Sequence, residues 1–197
     1  MPRVANDSQY LERLRDYYAS HRSIPSYSRL GEVLGVAAKS AVKKILERLA
    51  AQGFLRRTPD DVWVPETRFF ERRLSDAAVP AGMPVTPAEL PGDTFLIDQY
   101  LVKQPSQTLM VPVKGDSMRD AGIHDGDIAV VERHSEAHAG ELVIAVVDGE
   151  FTLKRLAREG AAYVLQPENP AYPVIRPAGA LEIFGVVRGI VRRYGGG

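Results

Sequence analysis

The sequence predicts an α+β chain of two domains, three helices with a small β wing followed by a mostly β half, and three observations predict it. Residues 1–52 carry apolar side chains at helical spacing in three successive blocks, whereas residues 93–197 carry short β-type runs broken by Asp-Gly turns. Charge divides along the same line. Residues 1–73 hold 14 Lys and Arg against 9 Asp and Glu, while residues 74–197 hold 11 against 16, so a net charge of zero splits into +5 and −5. Only the first half suits a polyanionic partner.

Taken in order, Asn6 to Ala19 places Tyr10, Leu11, Leu14, Tyr17 and Tyr18 on a helical stripe, with Asp7 or Ser8 available as its cap. Ile24-Pro25-Ser26 breaks the chain and offers Ser26 to cap a short second helix, in which Leu30, Val33 and Leu34 share a face until Gly35. A third helix from about Lys39 to Gln52 turns Val42, Ile45, Leu46 and Leu49 inward. Its outward face carries Lys39, Ser40, Lys43, Lys44, Glu47 and Arg48. After Gly53, Phe54 to Arg57 and Val62 to Val64 read as two short strands around Thr58-Pro59-Asp60-Asp61. These elements place a first domain at 1–65.

Residues 66–92 change character: four prolines, a run of small residues from Ala77 to Gly82, and little periodicity describe a linker. The second domain, 93–197, is expected to contain strands at Thr94–Ile97, Thr108–Val113, Ile128–Glu132, Glu141–Val147, Glu150–Leu156, Tyr163–Gln166 and Ile183–Val191. Asp148-Gly149 supplies a two-residue hairpin turn between two of them.

Three helices, a tight turn at Gly35-Val36 and a β wing describe a winged helix-turn-helix, whose third helix enters the DNA major groove while the wing meets the backbone. Ser40, Lys43 and Lys44 on that helix are the candidate base and phosphate contacts, and Arg56 and Arg57 are the candidate contacts of the wing. A solvated basic face used for protein contacts would carry the same residues. Ser40-Ala41-Val42-Lys43 also matches the S-x-x-K pattern of penicillin-binding enzymes, yet it lies in an exposed helix and neither S-D-N nor K-T-G accompanies it.

In the second half two elements stand out: Gly115-Asp116-Ser117-Met118 in a turn after a strand, and Lys154 in an otherwise apolar strand. A buried lysine loses its proton more easily because desolvation disfavours the ammonium, and the neutral amine is a base for a serine hydroxyl. The residues alone leave a second reading open, in which Ser117 caps a turn and Lys154 reaches solvent. Other hydrolase and metal patterns are weaker: the second glycine of a G-x-S-x-G elbow is missing, and His134 and His138, four apart, lie between a strand and a turn. No metal and no cofactor are expected.

The motifs at this point resemble a known family. GDSM at 115–118, GIHDGD at 122–127 and DGEFTLKRL at 148–156 are similar to the self-cleaving serine-lysine domain shared by LexA, UmuD and phage repressors. ENPAYPVI at 168–175 and IFGVV at 183–187 come nearest to UmuD. The first 65 residues resemble the LexA DNA-binding domain at IPSYSRLGEVLG and AQGFL, although the outward set of the third helix differs, which implies a different operator. The resemblance implies that Ser117 is the nucleophile and Lys154 the general base. It also implies a cut in the joining segment between a small residue and glycine, where Ala81-Gly82 is the sole Ala-Gly pair.

On this basis the sequence implies a LexA-like repressor of DNA-damage genes. Its implied partners are double-stranded operator DNA, a second copy bound through the C-terminal domain, and the RecA filament on single-stranded DNA that stimulates the cut. The alternatives are a UmuD-like polymerase accessory subunit that carries a DNA-binding module, and a phage-type repressor. Composition excludes several classes: without cysteine there is no disulfide framework, thiolate nucleophile or Cys-based metal site. No apolar run approaches the roughly 18 residues of a membrane span, and the polar start is unlike a signal peptide, so no membrane contact and a cytoplasmic location are expected.

Overall fold

The computed structural model describes residues 6–75, 93–133, 136–177 and 181–195. The chain forms two compact units, one up to Leu96 and the other from Ile97. Among the described residues no helix is long and apolar enough to cross a membrane.

The first unit contains α1 (Asp7–His21), α2 (Tyr27–Leu34) and α3 (Lys39–Ala51), then the antiparallel pair β1 (Leu55–Arg57) and β2 (Trp63–Pro65). The helical stripes meet in one core: Leu11 and Leu14 of α1, Leu30 and Leu34 of α2, and Val42, Ile45, Leu46 and Leu49 of α3 are buried together with Leu55 and Trp63. Burial of such side chains contributes roughly 1.5–3 kcal/mol each before conformational entropy is charged against it. Two polar clasps orient the helices. Arg48 of α3 binds Asp7 at the start of α1 at 2.6 Å, and the Gln52 amide donates to the same carboxylate at 3.1 Å. Trp63 Nε1 donates to Tyr27 Oη at 3.0 Å and ties β2 to α2.

Asp7, expected as a cap, is instead this buried ion-pair partner: α1 begins after Asn6, and no side chain caps it. Ser26 does stand at the N-cap position of α2, but its hydroxyl meets that of Ser28 rather than the backbone. A larger correction concerns residues 66–92, read as linker. Thr67–Phe70 forms a 3-10 turn that buries Phe69 in the helical core, where its carbonyl accepts from Arg15 Nε at 2.6 Å. β3 (Arg72–Arg73) then pairs with β4 (Thr94–Phe95), which therefore belongs to the first unit and not to the second. The strand expected at Thr94–Ile97 is accordingly two residues long and gives way to a short helix, α4 (Ile97–Leu101).

The second unit is an antiparallel sheet of six strands: β5 (Thr108–Pro112), β6 (Ile128–Arg133), β7 (Leu142–Val147), β8 (Glu150–Glu159), β9 (Ala162–Gln166) and β10 (Glu182–Val191). They lie side by side in the order β5-β6-β10-β7-β8-β9. β7 and β8 form the hairpin around Asp148-Gly149. β10 inserts between β6 and β7 with two register shifts, and at the first of these Gly185 is required, since a Cβ there would stand 2.7 Å from the Glu132 carbonyl oxygen. One buried cluster contains Val143, Ala145, Leu156, Leu165 and Val186, another Ala129, Val131 and Ile144.

Candidate functional site

The turn bearing Ser117 follows β5 and is braced from three sides. Gly115 takes φ of 91°, a conformation that favours glycine, and its N–H donates to Asp125 Oδ1 at 2.7 Å. Met118, 2% exposed, anchors the turn in the protein interior. The loop at 122–127 is itself locked: Asp127 is buried, accepts from Arg192 through both oxygens at 2.6 Å, and receives the His124 N–H at 2.8 Å. The Arg192 guanidinium holds the Asp127 carboxyl down at about 2.

Lys154 sits on β8, paired with Val143 of β7 and only 6% exposed. Its Nζ lies 2.8 Å from Ser117 Oγ, 3.0 Å from Thr152 Oγ1 and 2.9 Å from the Leu153 carbonyl oxygen. Burial pushes its pKa below the ordinary lysine value. Lys154 Nζ thus meets three oxygens, one of them the Ser117 hydroxyl. Thr152 is absent from the sequence-level candidates, although residues i and i+2 of a strand share a face and its position two before Lys154 is a readable signal.

Ser117 and Lys154 line a cleft of about 450 Å³ whose walls include Leu109, Met110, Val113, Phe151 and Phe184. Among the described residues β5 pairs only with β6, so its outer edge offers backbone groups beside the cleft. Ala81 and Gly82 lie outside the described residues. So does His134, while His138 stands 3.5 Å from Glu141.

The basic candidates of the first unit do not form a comparable site. Ser40, Lys43 and Lys44 are exposed on α3, whose opposite face is buried. Lys43 lies 3.8 Å from Glu47. In the β1–β2 hairpin Arg56 pairs with Glu66 at 2.7 Å, and Arg57 pairs with Asp61 while its guanidinium lies over the Trp63 ring.

Residues 74–188 match the family model described as Peptidase S24-like. LexA repressor 2 of Pseudomonas putida is 34% identical over 190 residues, covering 92% of this chain and 94% of that protein. The LexA repressor of Clostridium novyi is 31% identical over 204 residues, covering 98% and 100%. LexA repressor 1 of Nocardia farcinica is 33% identical over 196 residues, covering 93% and 90%.

Proposed function

The chain belongs to the family of LexA repressors with a Peptidase S24-like domain, and from that membership we propose that it represses DNA-damage genes until it cuts itself at Ala81-Gly82 with Ser117 and Lys154. The observation that carries the reading is the 2.8 Å contact between Lys154 Nζ and Ser117 Oγ, with the lysine buried. Relatives that match through both halves are repressors by name, which favours this reading over a polymerase accessory subunit.

In the reaction Ser117 Oγ attacks the Ala81 carbonyl carbon while neutral Lys154 takes the hydroxyl proton. Backbone N–H groups at the serine turn hold the oxyanion. The C–N bond then breaks, Lys154 returns its proton to the Gly82 amine, and an ester joins Ala81 to Ser117. Water, deprotonated by Lys154, hydrolyses that ester and leaves an Ala81 carboxylate. The RecA filament on single-stranded DNA stimulates the cut, as in the family the sequence resembles.

The N-terminal unit acts as a winged helix-turn-helix, with α3 in the major groove of operator DNA and the β1–β2 hairpin on the backbone. Two such units held together through the C-terminal domains bind a two-fold operator with an avidity gain of about 10²- to 10⁴-fold, and cutting the joining segment removes it.

Incubating purified protein at increasing pH tests this reading. Deprotonation of Lys154 creates the base without a partner, so cleavage accelerates between about pH 7 and pH 10. Mass spectrometry then finds fragments of 81 and 116 residues. A cut at another bond, or a rate indifferent to pH, overturns the assignment.

A further inference from the structure

The segment after β9 bonds repeatedly to the serine turn. The Glu168 N–H donates to the Ser117 carbonyl at 2.9 Å, and the Glu168 carbonyl accepts the Asp120 N–H at 2.7 Å. Asn169, 3% exposed, donates from Nδ2 to the Asp116 carbonyl oxygen at 3.1 Å and to Asp116 Oδ2 at 3.3 Å; its Oδ1 accepts the Ala171 N–H at 3.0 Å. The Asp116 carbonyl also accepts the Arg119 N–H within the turn, at 3.1 Å. Asn169 is thus the side chain that ties this one peptide to the rest of the unit.

A trans peptide is planar, and its N–H points away from its C=O. With the carbonyls of Asp116 and Ser117 both bonded to residues 168–169, the N–H groups of Ser117 and Met118 point to the opposite side of the turn. That side is the cleft: Ser117 and Met118 line it, and none of residues 168–172 does. Among the described residues neither N–H donates to an acceptor. Unpaired donors beside a nucleophile are what an oxyanion needs, and their value depends on being aimed before the reaction begins.

We propose that Asn169 is a positioning residue for self-cleavage, holding the Asp116–Ser117 peptide so that its N–H is presented to the cleft as an oxyanion donor. This rests on Ser117 being the nucleophile. Asn169 makes no hydrogen bond with Ser117 Oγ or Lys154 Nζ among the described residues, so its loss slows the step that develops an oxyanion and leaves the activation of the nucleophile alone.

The lack of cysteine in the chain makes the test direct, because Ser117→Cys introduces a single thiol. Alkylation of that thiol by iodoacetamide displaces iodide from a saturated carbon and forms no oxyanion. In full-length protein, Asn169→Ala is expected to slow pH-driven self-cleavage by about 10²-fold, the effect of a misaligned catalytic group, with the pH midpoint of the rate unchanged. In the Ser117→Cys background the same substitution leaves the alkylation rate within about twofold, since neither thiol nor base has moved. If the alanine variant does not fold, Asn169→Asp serves in its place, being the same size and lacking the donor. An unchanged cleavage rate, a shifted midpoint, or an equal loss in both reactions overturns the proposal. Cleavage by Ser117→Ala would instead defeat the nucleophile assignment itself, so the two failures are distinguishable.

Discussion

Lys154 and Lys43 are the same side chain in two settings. Lys154 is buried in the sheet with its Nζ bonded to a hydroxyl, a second hydroxyl and a carbonyl, whereas Lys43 is exposed on α3 with a 3.8 Å approach to Glu47. Burial disfavours the charge of the first and lowers its pKa, as the proposed role of base requires. The difference extends to the units around them. The catalytic candidates are held by several contacts each, while Lys43, Arg56 and Arg57 of the first unit form exposed ion pairs of the kind worth little. In the proposed function, the chain thus separates chemistry from recognition by solvent access as much as by residue type.

Replacing lysine by arginine at each position breaks this comparison most sharply. Arginine remains protonated under all the conditions used, so Lys154→Arg keeps the charge, loses the base, and is expected to lower self-cleavage by at least about 10³-fold. Ser117→Ala and Lys154→Ala should match it, and all three should bind selected operator DNA as tightly as the parent. Lys43→Arg keeps a cation where a cation is needed and should leave both activities near normal. Time courses of cleavage at pH 9–10 and gel retardation provide the two readouts. Residual cleavage by Lys154→Arg would remove lysine from the role of base.

The second comparison is between the ion pairs that lock each unit, Asp7 with Arg48 and Asp127 with Arg192. Asp127 is 1% exposed and titrates at about 2, below the ordinary carboxylate value of 3.8, so folding favours its ionised form. Its contribution is complete above the unfolded value and is lost as pH falls from there through about 2, a total of about 2 kcal/mol. Asp127→Asn in the Ser117→Ala background should flatten the acid limb of the C-terminal unit's stability and lower its plateau. Asp7 is also held below its ordinary value, chiefly by the hydrogen bond from Arg48, so Asp7→Asn should weaken the first unit alone. Urea unfolding followed by pH, with the single Trp63 reporting the first unit and circular dichroism both, separates the two effects.

What the sequence reveals follows the range of the interactions involved. The stripes of α1 and α3 are local periodicities and were legible, as was Lys154, a charged residue in a strand of apolar neighbours. Phe69 was not legible as core. It lies in a four-residue turn without a period, and its burial depends on α1, more than fifty residues earlier, through Arg15 and the Tyr18 ring. Helix α4 is too short for a pattern, and its Leu96-Ile97 approach reads as strand. At the Ser117 turn the serine is visible through its motif, but Asn169 and Arg192 reach the turn or its supporting loop across 53 and 65 residues of sequence. No spacing rule connects such residues; only the fold does.

On the DNA side the expected effects are smaller. Lys43 and Lys44 lie on the exposed face of α3, and substitution of each by alanine tests which kind of contact it makes. A residue on a base edge should cost about 1–3 kcal/mol and relax preference at one position, whereas one on a phosphate should weaken all sequences alike and flatten the salt slope by about one unit. Duplexes chosen from a random pool supply the probe. At least one of the two is expected to read a base, since both lie in the first half of α3. If neither affinity nor salt slope changes in either variant, α3 is not the reading helix.

The wing should give the smallest effect, because Arg56 and Arg57 already have partners. To meet a phosphate, Arg56 must leave or share Glu66, and Arg57 must do the same with Asp61 while keeping its place over Trp63. Exchange of one exposed ion pair for another gains little, so Arg56→Ala or Arg57→Ala should cost less than about 1 kcal/mol of operator affinity. The partner substitutions sharpen the point. Glu66→Gln or Asp61→Asn frees the guanidinium and removes a negative charge from the same surface, so each should tighten binding slightly and steepen the salt dependence. Titrations across 50–200 mM salt measure both quantities. If the glutamine and asparagine variants bind like the parent while the alanine variants lose tenfold or more, the arginines are making base contacts rather than phosphate contacts, and the hairpin is as much a part of the reading surface as α3.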